Sequence, residues 1–368
     1  MLKLMILLAV SMCLAYCSQH GILTVPITQK RKLDISLVVM VIMLSLVTGL
    51  RTQFNDTYLY IELYENAPSF SSFLNSKPDL MENPLFYGLQ SFLRTYVSDN
   101  ANLFFLLIAL FTIGSILRFI KKHSDNFPFS ILLFFSLGLY VSTMASMKQC
   151  LAMAILTYAV ECLIKKKYIL FYVIVFIAMM FHTYAIFYAI LPIFQKKPWT
   201  ITTYIAVVGT ILVLFTFEST ITNFLEIADE AGKTIDSQYI IDTEGINLFR
   251  LTVFAVPPLL SLVFQELLDN TYDRPKTILM NMSLLSFLIM ALGLSGGANL
   301  FGRSAIYFET GTIVFMPTII KNIFDEKSQT MGNVLVGGCY LAYFAYSVIG
   351  FSLGYRAVGL GEFILSLF

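Results

Sequence analysis

The chain has 368 residues, of which 57% are hydrophobic and 13% are charged, and its net charge is +1. Soluble domains carry about 25% charged residues, so this composition excludes a soluble protein and predicts a surface that meets lipid. A membrane pass needs about 20 apolar residues, so the length leaves room for roughly ten to twelve passes joined by short loops.

We predict an all-α, polytopic transmembrane protein that forms a single membrane domain over residues 1–368. Its apolar segments cover residues 2–17, 33–50, 101–120, 129–146, 149–164, 168–181, 184–194, 199–217, 248–268, 277–294, 304–320 and 331–350. The first segment is expected to be a retained helix rather than a cleaved signal peptide, because Lys3 is its sole basic residue and no A-x-A cleavage site follows it.

Orientation follows from Lys and Arg, which favour short cytoplasmic loops. If residues 30–32 are cytoplasmic, 15 of the 24 basic residues fall in inside loops, whereas acidic residues concentrate outside. Both termini then face out, as do a long loop at 51–100 and an acidic loop at 218–247. Within the first of these loops, residues 84–97 are typical of an amphipathic helix at the membrane interface.

Residues 168–194 allow two interpretations. One helix of 27 residues would place His182 in mid-membrane and reverse the orientation of everything downstream. Two pieces, 168–181 and 184–194, would be about 21 and 16 Å long, too short to cross the membrane upright. We favour two pieces, because they keep Lys196 and Lys197 inside, and because short broken segments occur where they line a cavity.

Lone cations stand out on the outer side, where charge beside apolar helices is costly and marks substrate paths. Arg51 ends the second segment, and Lys148 lies with Gln149 between two apolar segments. Arg303, Tyr307 and Arg250 are further candidates for substrate binding, together with Arg51, Lys148 and Gln149. A structural role as an interface anchor stays open for Arg51 and Arg250.

Glu309 lies inside the eleventh segment and needs a partner, which we expect on a neighbouring helix. Arg303 is six residues away and mostly on another face, whereas Arg303 and Tyr307 are spaced i and i+4 and should share one face.

Three outer residues could accept a proton: Asp56, His182 and Glu82. Asp56 and Glu82 could instead cap helices, and His182 could be a buried, hydrogen-bonded side chain or a phosphate ligand. We rank Asp56 first, His182 second and Glu82 third. Tyr58 and Tyr60 follow Asp56 and, with Tyr64 and Tyr87, are candidate platforms for sugars.

These residues carry a family likeness. The chain resembles the EpsG family of Wzy-type polysaccharide polymerases over about residues 1–310. The likeness rests on the GLR…DT..Y stretch at Gly49–Tyr60, the start of the interfacial helix at Glu82–Tyr87, the basic-Gln-x-x-Ala element at Lys148–Ala152, the KKK…A..FH..A stretch at Lys165–Ala185 and the GR…Y stretch at Gly302–Tyr307. The family commonly has Arg where this chain has Lys148, which keeps the charge but loses the bidentate fork.

The resemblance implies a glycosyltransferase of the bacterial cytoplasmic membrane whose active site faces the extracytoplasmic side. Such polymerases join oligosaccharide repeat units carried on undecaprenyl pyrophosphate, in exopolysaccharide, capsule or O-antigen pathways. Donor and acceptor are therefore the expected partners, with membrane lipids and a chain-length regulator and flippase of the same pathway. The sequence shows no metal-binding cluster, nucleic-acid module or cofactor motif, so we expect Arg and Lys to meet the leaving-group charge.

Two other functions fit the same residues. A flippase for lipid-linked oligosaccharide would also need a cationic cavity, although the sequence lacks the internal repeats that transporters often show. A ligase of the O-antigen type, which moves finished glycan to another acceptor, would use the same chemistry.

Overall fold

The computed structural model describes residues 2–28, 31–230, 245–349 and 354–367. The chain divides into two compact units. Unit 1 consists of Met1–Tyr158, Phe176–Thr183 and Thr330–Phe368, and unit 2 consists of Ala159–Val175 and Tyr184–Gln329. Most of the predicted acidic loop, residues 231–244, lies outside the described residues.

The elements of the first half of the chain are α1 (Leu2–Gln19), β1 (Thr24–Thr28), β2 (Arg31–Asp34), α2 (Ile35–Gly49), β3 (Arg51–Gln53), α3 (Thr57–Glu65), α4 (Phe70–Asn75), a 3₁₀ turn (Leu80–Glu82), α5 (Pro84–Tyr96), α6 (Ala101–His123), α7 (Phe127–Ser136), α8 (Leu139–Ala145) and α9 (Met147–Ile164).

The elements that follow are α10 (Tyr168–Phe181), a 3₁₀ helix (Thr183–Ile193), α11 (Ile201–Phe215), α12 (Phe217–Glu230), α13 (Leu248–Val263), α14 (Gln265–Leu268), a 3₁₀ turn (Asp269–Thr271), α15 (Arg274–Leu292), α16 (Ala298–Ile306), α17 (Glu309–Ile323), α18 (Gln329–Ile349), β4 (Arg356–Ala357) and α19 (Leu360–Leu365).

The all-α, polytopic fold class is confirmed, including its broken segments. Among the described residues, four helices have the length and hydropathy of a membrane span: α1, α6, α9 and α15. Three bent pairs of helices raise the number to seven if each pair is one span. Three shorter apolar helices follow the predicted segments at Ile35–Gly49, Tyr168–Phe181 and Thr183–Ile193.

The structure has a break at His182 and a bend within the predicted segment 129–146. The break at His182 is present, with α10 ending at Phe181 and the 3₁₀ helix beginning at Thr183. The segment predicted at 129–146 bends by 49° between α7 and α8, where Gly138 adopts a φ of 89°. A left-handed φ is costly for residues other than glycine, so Gly138 allows this bend.

Two small antiparallel sheets were not predicted. β1 pairs with β2, and β3 pairs with β4 through Arg51 opposite Ala357 and Gln53 opposite Arg356. The second sheet joins parts of unit 1 that lie some 300 residues apart in sequence, as the hydrogen bond from the Tyr355 hydroxyl to the Val47 carbonyl does. Strands of two or three residues are too short to leave an alternating pattern in the sequence.

In unit 1, Asp34 is the N-cap residue of α2 and links that helix to α1 and α6. Its Oδ1 accepts a hydrogen bond from the Leu37 amide at 3.1 Å, Ser18 donates to Oδ2 at 2.5 Å, and Lys121 forms an ion pair with it. Burial disfavours the ionised form of Asp34, but these hydrogen bonds outweigh burial and lower the pKa of its carboxyl.

This lowered pKa predicts a pH-dependent stability. The stabilisation by Asp34 is complete above the pKa of an unfolded Asp, about 3.9, and is lost as the pH falls through the lower pKa of the folded state. The Tm of purified protein in detergent should therefore fall less for Asp34→Asn than for wild type as the pH is lowered from about 7 to 3. Asp99→Asn, at an exposed Asp, is the control, and equal slopes for Asp34→Asn and wild type would contradict the prediction.

In unit 2, α15 and α17 pack with backbone close to backbone at Gly311. A Cβ added there would lie 2.5 Å from the Leu279 carbonyl oxygen and 2.5 Å from the Met282 Cβ. Overpacking of this kind costs about 1–3 kcal/mol, so Gly311→Ala should lower the Tm and the yield of folded protein. Gly338→Ala is the matched control, because nothing lies within 4 Å of a Cβ at that exposed helical glycine. Equal Tm values for the two variants would refute the close packing.

Candidate active site

The candidate site in unit 1 begins where α2 ends, at the GLR stretch. Gly49 lies against α6, where an added Cβ would be 2.6 Å from the Leu106 Cα. Asn102 Nδ2 donates to the carbonyl oxygens of Gly49 and Arg51, each at 3.0 Å. β3 is also paired with β4. The backbone that carries Arg51 is therefore fixed from two sides.

The Arg51 side chain is fully buried, with 0% exposure. Its Nε donates to Thr57 Oγ1 at 3.1 Å and Nη1 donates to the Thr48 carbonyl at 2.5 Å, while the guanidinium lies 4.4 Å from the centroid of the Phe105 ring. Burial lowers the pKa of Arg51 to about 10, so the group stays charged at neutral pH. The sequence named Arg51 as a candidate for substrate binding, and in the structure its guanidinium contacts Thr57, Thr48 and Phe105.

Met147 links Arg51 to the second predicted cation. Arg51 Nη2 lies 3.7 Å from the Met147 sulfur, and Lys148 is the next residue, at the start of α9. Arg51 and Lys148, both predicted as substrate-binding residues, are thus linked through Met147.

Lys148 carries the ammonium group that a ligand could reach. Its Nζ donates to the Tyr87 hydroxyl at 3.2 Å and lies 5.6 and 5.1 Å from the ring centroids of Phe86 and Tyr87. In the described part of the chain this is the one hydrogen bond that Nζ makes, so two of its three N–H groups stay available. Its neighbour Gln149 is buried at 2% exposure.

Asp56 stands at the N-cap position of α3, but no side-chain hydrogen bond caps the helix. The helix start is held instead by Thr57, whose hydroxyl donates to the Phe54 carbonyl and accepts from Arg51. The half-buried Asp56 carboxylate is therefore not used for capping. It acts electrostatically on the Tyr60 phenol, and the backbone amide of Lys148 lies against the same phenol.

The four tyrosines considered as sugar platforms differ in exposure. Tyr60 and Tyr64 are 5% and 1% exposed, and the Tyr64 ring stacks on Phe104 at 4.6 Å. Burial raises the pKa of Tyr60 to about 12, so the phenol stays protonated at neutral pH. Tyr58 is 76% exposed and Tyr87 is half-buried, which leaves these two rings accessible.

The break at His182 docks onto the turn that carries Glu82. The Thr183 amide donates to Asn83 Oδ1 at 2.9 Å, and its hydroxyl donates to the Met81 carbonyl at 2.7 Å. Asn83 adopts the left-handed conformation with a φ of 58°. His182 precedes Thr183 and Glu82 precedes Asn83 in the chain. The two candidates, about 100 residues apart in sequence, therefore both lie next to the hydrogen bond between Thr183 and Asn83.

The later candidates belong to unit 2. The predicted segment 304–320 begins earlier and is interrupted, because α16 ends at Ile306 and α17 begins at Glu309. Arg303 is exposed, whereas Tyr307 is fully buried at 0% exposure. Tyr307 is the C-cap residue of α16 and keeps helical backbone angles, with a φ of −57° and a ψ of −29°, so the shared face of Arg303 and Tyr307 stays a prediction.

Glu309 is buried, with 2% exposure, and its Oε1 has no hydrogen-bond partner among the described residues. Arg250 on α13 interacts electrostatically with the Glu309 carboxylate. It is the partner on a neighbouring helix that the sequence predicted for Glu309. Arg250 Nη1 would lie 3.6 Å from a Cβ placed on Gly302, so Gly302 leaves room for the guanidinium.

Together, the apolar helices define a polytopic membrane protein, and Lys148 and Asp56 form a candidate site in unit 1. The chain belongs to the EpsG family, whose model matches residues 34–358. The match begins at Asp34 and includes β4, so it extends further towards the C-terminus than the resemblance over residues 1–310. No curated protein and no solved structure matches the chain. Membership supports a Wzy-like polysaccharide polymerase at the level of the family.

Proposed function

We propose that the chain joins oligosaccharide repeat units carried on undecaprenyl pyrophosphate, on the outer face of the bacterial cytoplasmic membrane. The observation that carries the proposal is Lys148, a cation at a helix N-terminus with two N–H groups that no described residue uses. A helix N-terminus and an ammonium group both favour an anion. The half-buried ring of Tyr87 beside Lys148 suits a substrate that combines a pyrophosphate with sugars.

In the proposed reaction, a hydroxyl oxygen of the acceptor sugar attacks the anomeric carbon of the donor. The bond from that carbon to the pyrophosphate oxygen breaks, and the bonding electron pair leaves with undecaprenyl pyrophosphate. The hydroxyl proton passes to a carboxylate or imidazole. The product is the lengthened chain on the acceptor's lipid. Lys148 stabilises the charge that develops on the leaving oxygen.

Asp56 is the proposed proton acceptor. Its carboxylate is not used for capping, and it acts on the same Tyr60 phenol that lies against the Lys148 amide. His182 and Glu82 remain the second and third choices, since their joint is anchored by Asn83, directly before α5. Arg51 is proposed to act as a positioning residue, since it fixes Thr57 beside Asp56 and Met147 beside Lys148.

A cellular experiment separates this function from the two alternatives. A producing strain that lacks the chain should lose its polymer and accumulate single lipid-linked repeats on the outer leaflet. Accumulation on the inner leaflet would indicate a flippase, and accumulation of full-length chains on the lipid would indicate a ligase. Either of these outcomes would overturn the proposal.

A further inference from the structure

The end of the chain returns to the candidate site in unit 1. The C-terminal segment, residues 354–367, is bound to the end of α2 on both sides of Arg356. Before this residue, the Tyr355 hydroxyl donates to the Val47 carbonyl at 2.6 Å. After it, the Val358 amide donates to the Leu50 carbonyl at 2.9 Å. The last carbonyl groups of a helix lack partners within the helix, so the segment completes the end of α2 and is itself fixed there.

β3 and β4 pair in an irregular register. Arg51 lies opposite Ala357 and Gln53 lies opposite Arg356, so Thr52 is an extra residue in β3. A bulge of this kind re-aims side chains and is frequent beside active sites, and here it separates a buried Arg51 from an exposed Gln53. Residues directly opposite on antiparallel strands share a face, with Cα atoms about 4.5–5.5 Å apart. Gln53 and Arg356 therefore lie side by side on an exposed face.

The side chains of Arg356 and Gln53 offer donors that no described residue uses. Both are exposed, and neither makes a side-chain hydrogen bond or an ion pair within the described part of the chain. A guanidinium presents five N–H groups in a planar fork that matches phosphate oxygens, and the Gln amide adds two more. Because the sheet fixes both backbones, these donors are held in place before a ligand binds, which lowers the cost of binding. The face is therefore suited to an anion that contains phosphate.

An exposed apolar surface follows this face in the chain. α19 begins four residues after Arg356, and Asn100 Nδ2 holds its end by donating to Ser366 Oγ at 2.7 Å. The exposed apolar side chains of α19 are Leu360, Ile364 and Leu365. A soluble anion would gain nothing from this surface, whereas an anionic lipid can place its phosphate at Arg356 and its hydrocarbon along α19. The ligand class is therefore a lipid phosphate.

The proposed reaction needs two pyrophosphate sites. Donor and acceptor are both lipid-linked, and the donor's pyrophosphate is proposed to leave at Lys148. The acceptor reacts through a sugar hydroxyl, so its own pyrophosphate stays intact and needs a separate site. Arg51 lies between the two cations, because its guanidinium contacts Met147, next to Lys148, and its backbone pairs with Ala357, next to Arg356.

We infer that Arg356 and Gln53 form a second pyrophosphate site, which holds the lipid-linked acceptor while its saccharide reacts. The inference rests on the proposed function, because that function makes the acceptor a lipid pyrophosphate. No bond of the acceptor's pyrophosphate breaks at this site. Arg356 and Gln53 therefore contribute binding and position, and the chemistry stays with Asp56 and Lys148.

Binding of a short polyprenyl pyrophosphate tests the inference without catalysis. The probe is farnesyl pyrophosphate, titrated into purified full-length protein in a neutral detergent and followed by calorimetry. Wild type should bind two molecules per chain, Lys148→Met and Arg356→Gln should each bind one, and the double variant should bind none. In the Lys148→Met background, Gln53→Ala should raise the Kd about tenfold, because it removes a hydrogen bond to a charged group.

Exposed positions keep these variants interpretable. Arg356 and Gln53 are both exposed, so their substitutions should leave the Tm unchanged. Lys77→Gln is the matched control, because Lys77 is exposed in the predicted outer loop 51–100, and it should bind two molecules as wild type does. If Lys148→Met binds no probe, or binds it equally well after Arg356→Gln, the second site is wrong. If phosphatidylglycerol at equal concentration displaces the probe from Lys148→Met, the face binds phospholipid headgroups and the assignment to the acceptor is wrong.

Reconstituted synthesis separates the failure of this site from the failure of the proposed function. With a labelled single-repeat acceptor, Arg356→Gln should raise the acceptor KM about tenfold and leave the donor KM unchanged. If polymer forms and the acceptor KM of Arg356→Gln equals that of wild type, the second site is wrong and the polymerase stands. If the two binding sites are found as expected but no polymer forms, the second lipid-pyrophosphate site stands and the proposed function fails.

Discussion

Replacing Asp56 by Asn is expected to reduce polymer synthesis about a hundredfold or more, the range of a lost general base. The amide keeps the shape of the side chain but cannot take the acceptor proton. The protein should still insert into the membrane and bind donor, because the Asp56 side chain makes no capping hydrogen bond. The measurement is the rate of chain growth from lipid-linked repeats, with donor binding measured separately.

Glu65→Gln is the matched control for Asp56→Asn. Glu65 is an exposed acid at the other end of the same helix, α3, and its loss should leave the rate within about twofold of wild type, as surface substitutions usually do. Near-normal chain growth in Asp56→Asn would remove Asp56 from the mechanism. His182→Gln would then be the variant expected to lose activity.

The second large effect is expected for Lys148→Met, which removes the ammonium charge but keeps the length of the side chain. A charge-assisted hydrogen bond contributes about 1.5–3 kcal/mol, so donor use should fall about tenfold to a hundredfold. Lys148→Arg should retain donor use, because Arg keeps the charge and offers a fork of donors to phosphate. The quantity measured is kcat/KM for the lipid-linked donor.

Lys77→Met is the control for Lys148→Met, since Lys77 is an exposed lysine of the predicted outer loop 51–100. Its donor use should equal that of wild type. If Lys148→Met and Lys77→Met behave alike, Lys148 does not bind the leaving group. If Lys148→Arg loses as much activity as Lys148→Met, the ammonium acts through its hydrogen bond to Tyr87 rather than through its charge.

The sequence predicted the fold class because apolar composition and segment length are local properties. It also predicted the break at His182, since two charges downstream at Lys196 and Lys197 constrained the orientation. It did not predict the pairing of β3 with β4 or the docking of Thr183 on Asn83. Both depend on contacts between parts of the chain that are far apart in sequence, and no periodic pattern records them.

The residues of the candidate site were likewise predicted from the sequence, whereas the contacts between them were not. Arg51, Asp56 and Lys148 stood out because isolated charges beside apolar helices are rare, and the structure joins them through Thr57, Met147 and Tyr60. Burial of the Arg51 guanidinium could not be predicted, because it depends on Phe105, which is 54 residues away in sequence.

The central claim, that the chain itself joins repeat units, is tested by reconstitution. Purified protein is placed in liposomes with lipid-linked repeat units and with no other protein, and the lipid-linked products are separated by length. We expect a ladder of products that grow by one repeat at a time, present for wild type and strongly reduced for Asp56→Asn. Repeat units that remain single in the presence of folded, donor-binding protein would contradict it.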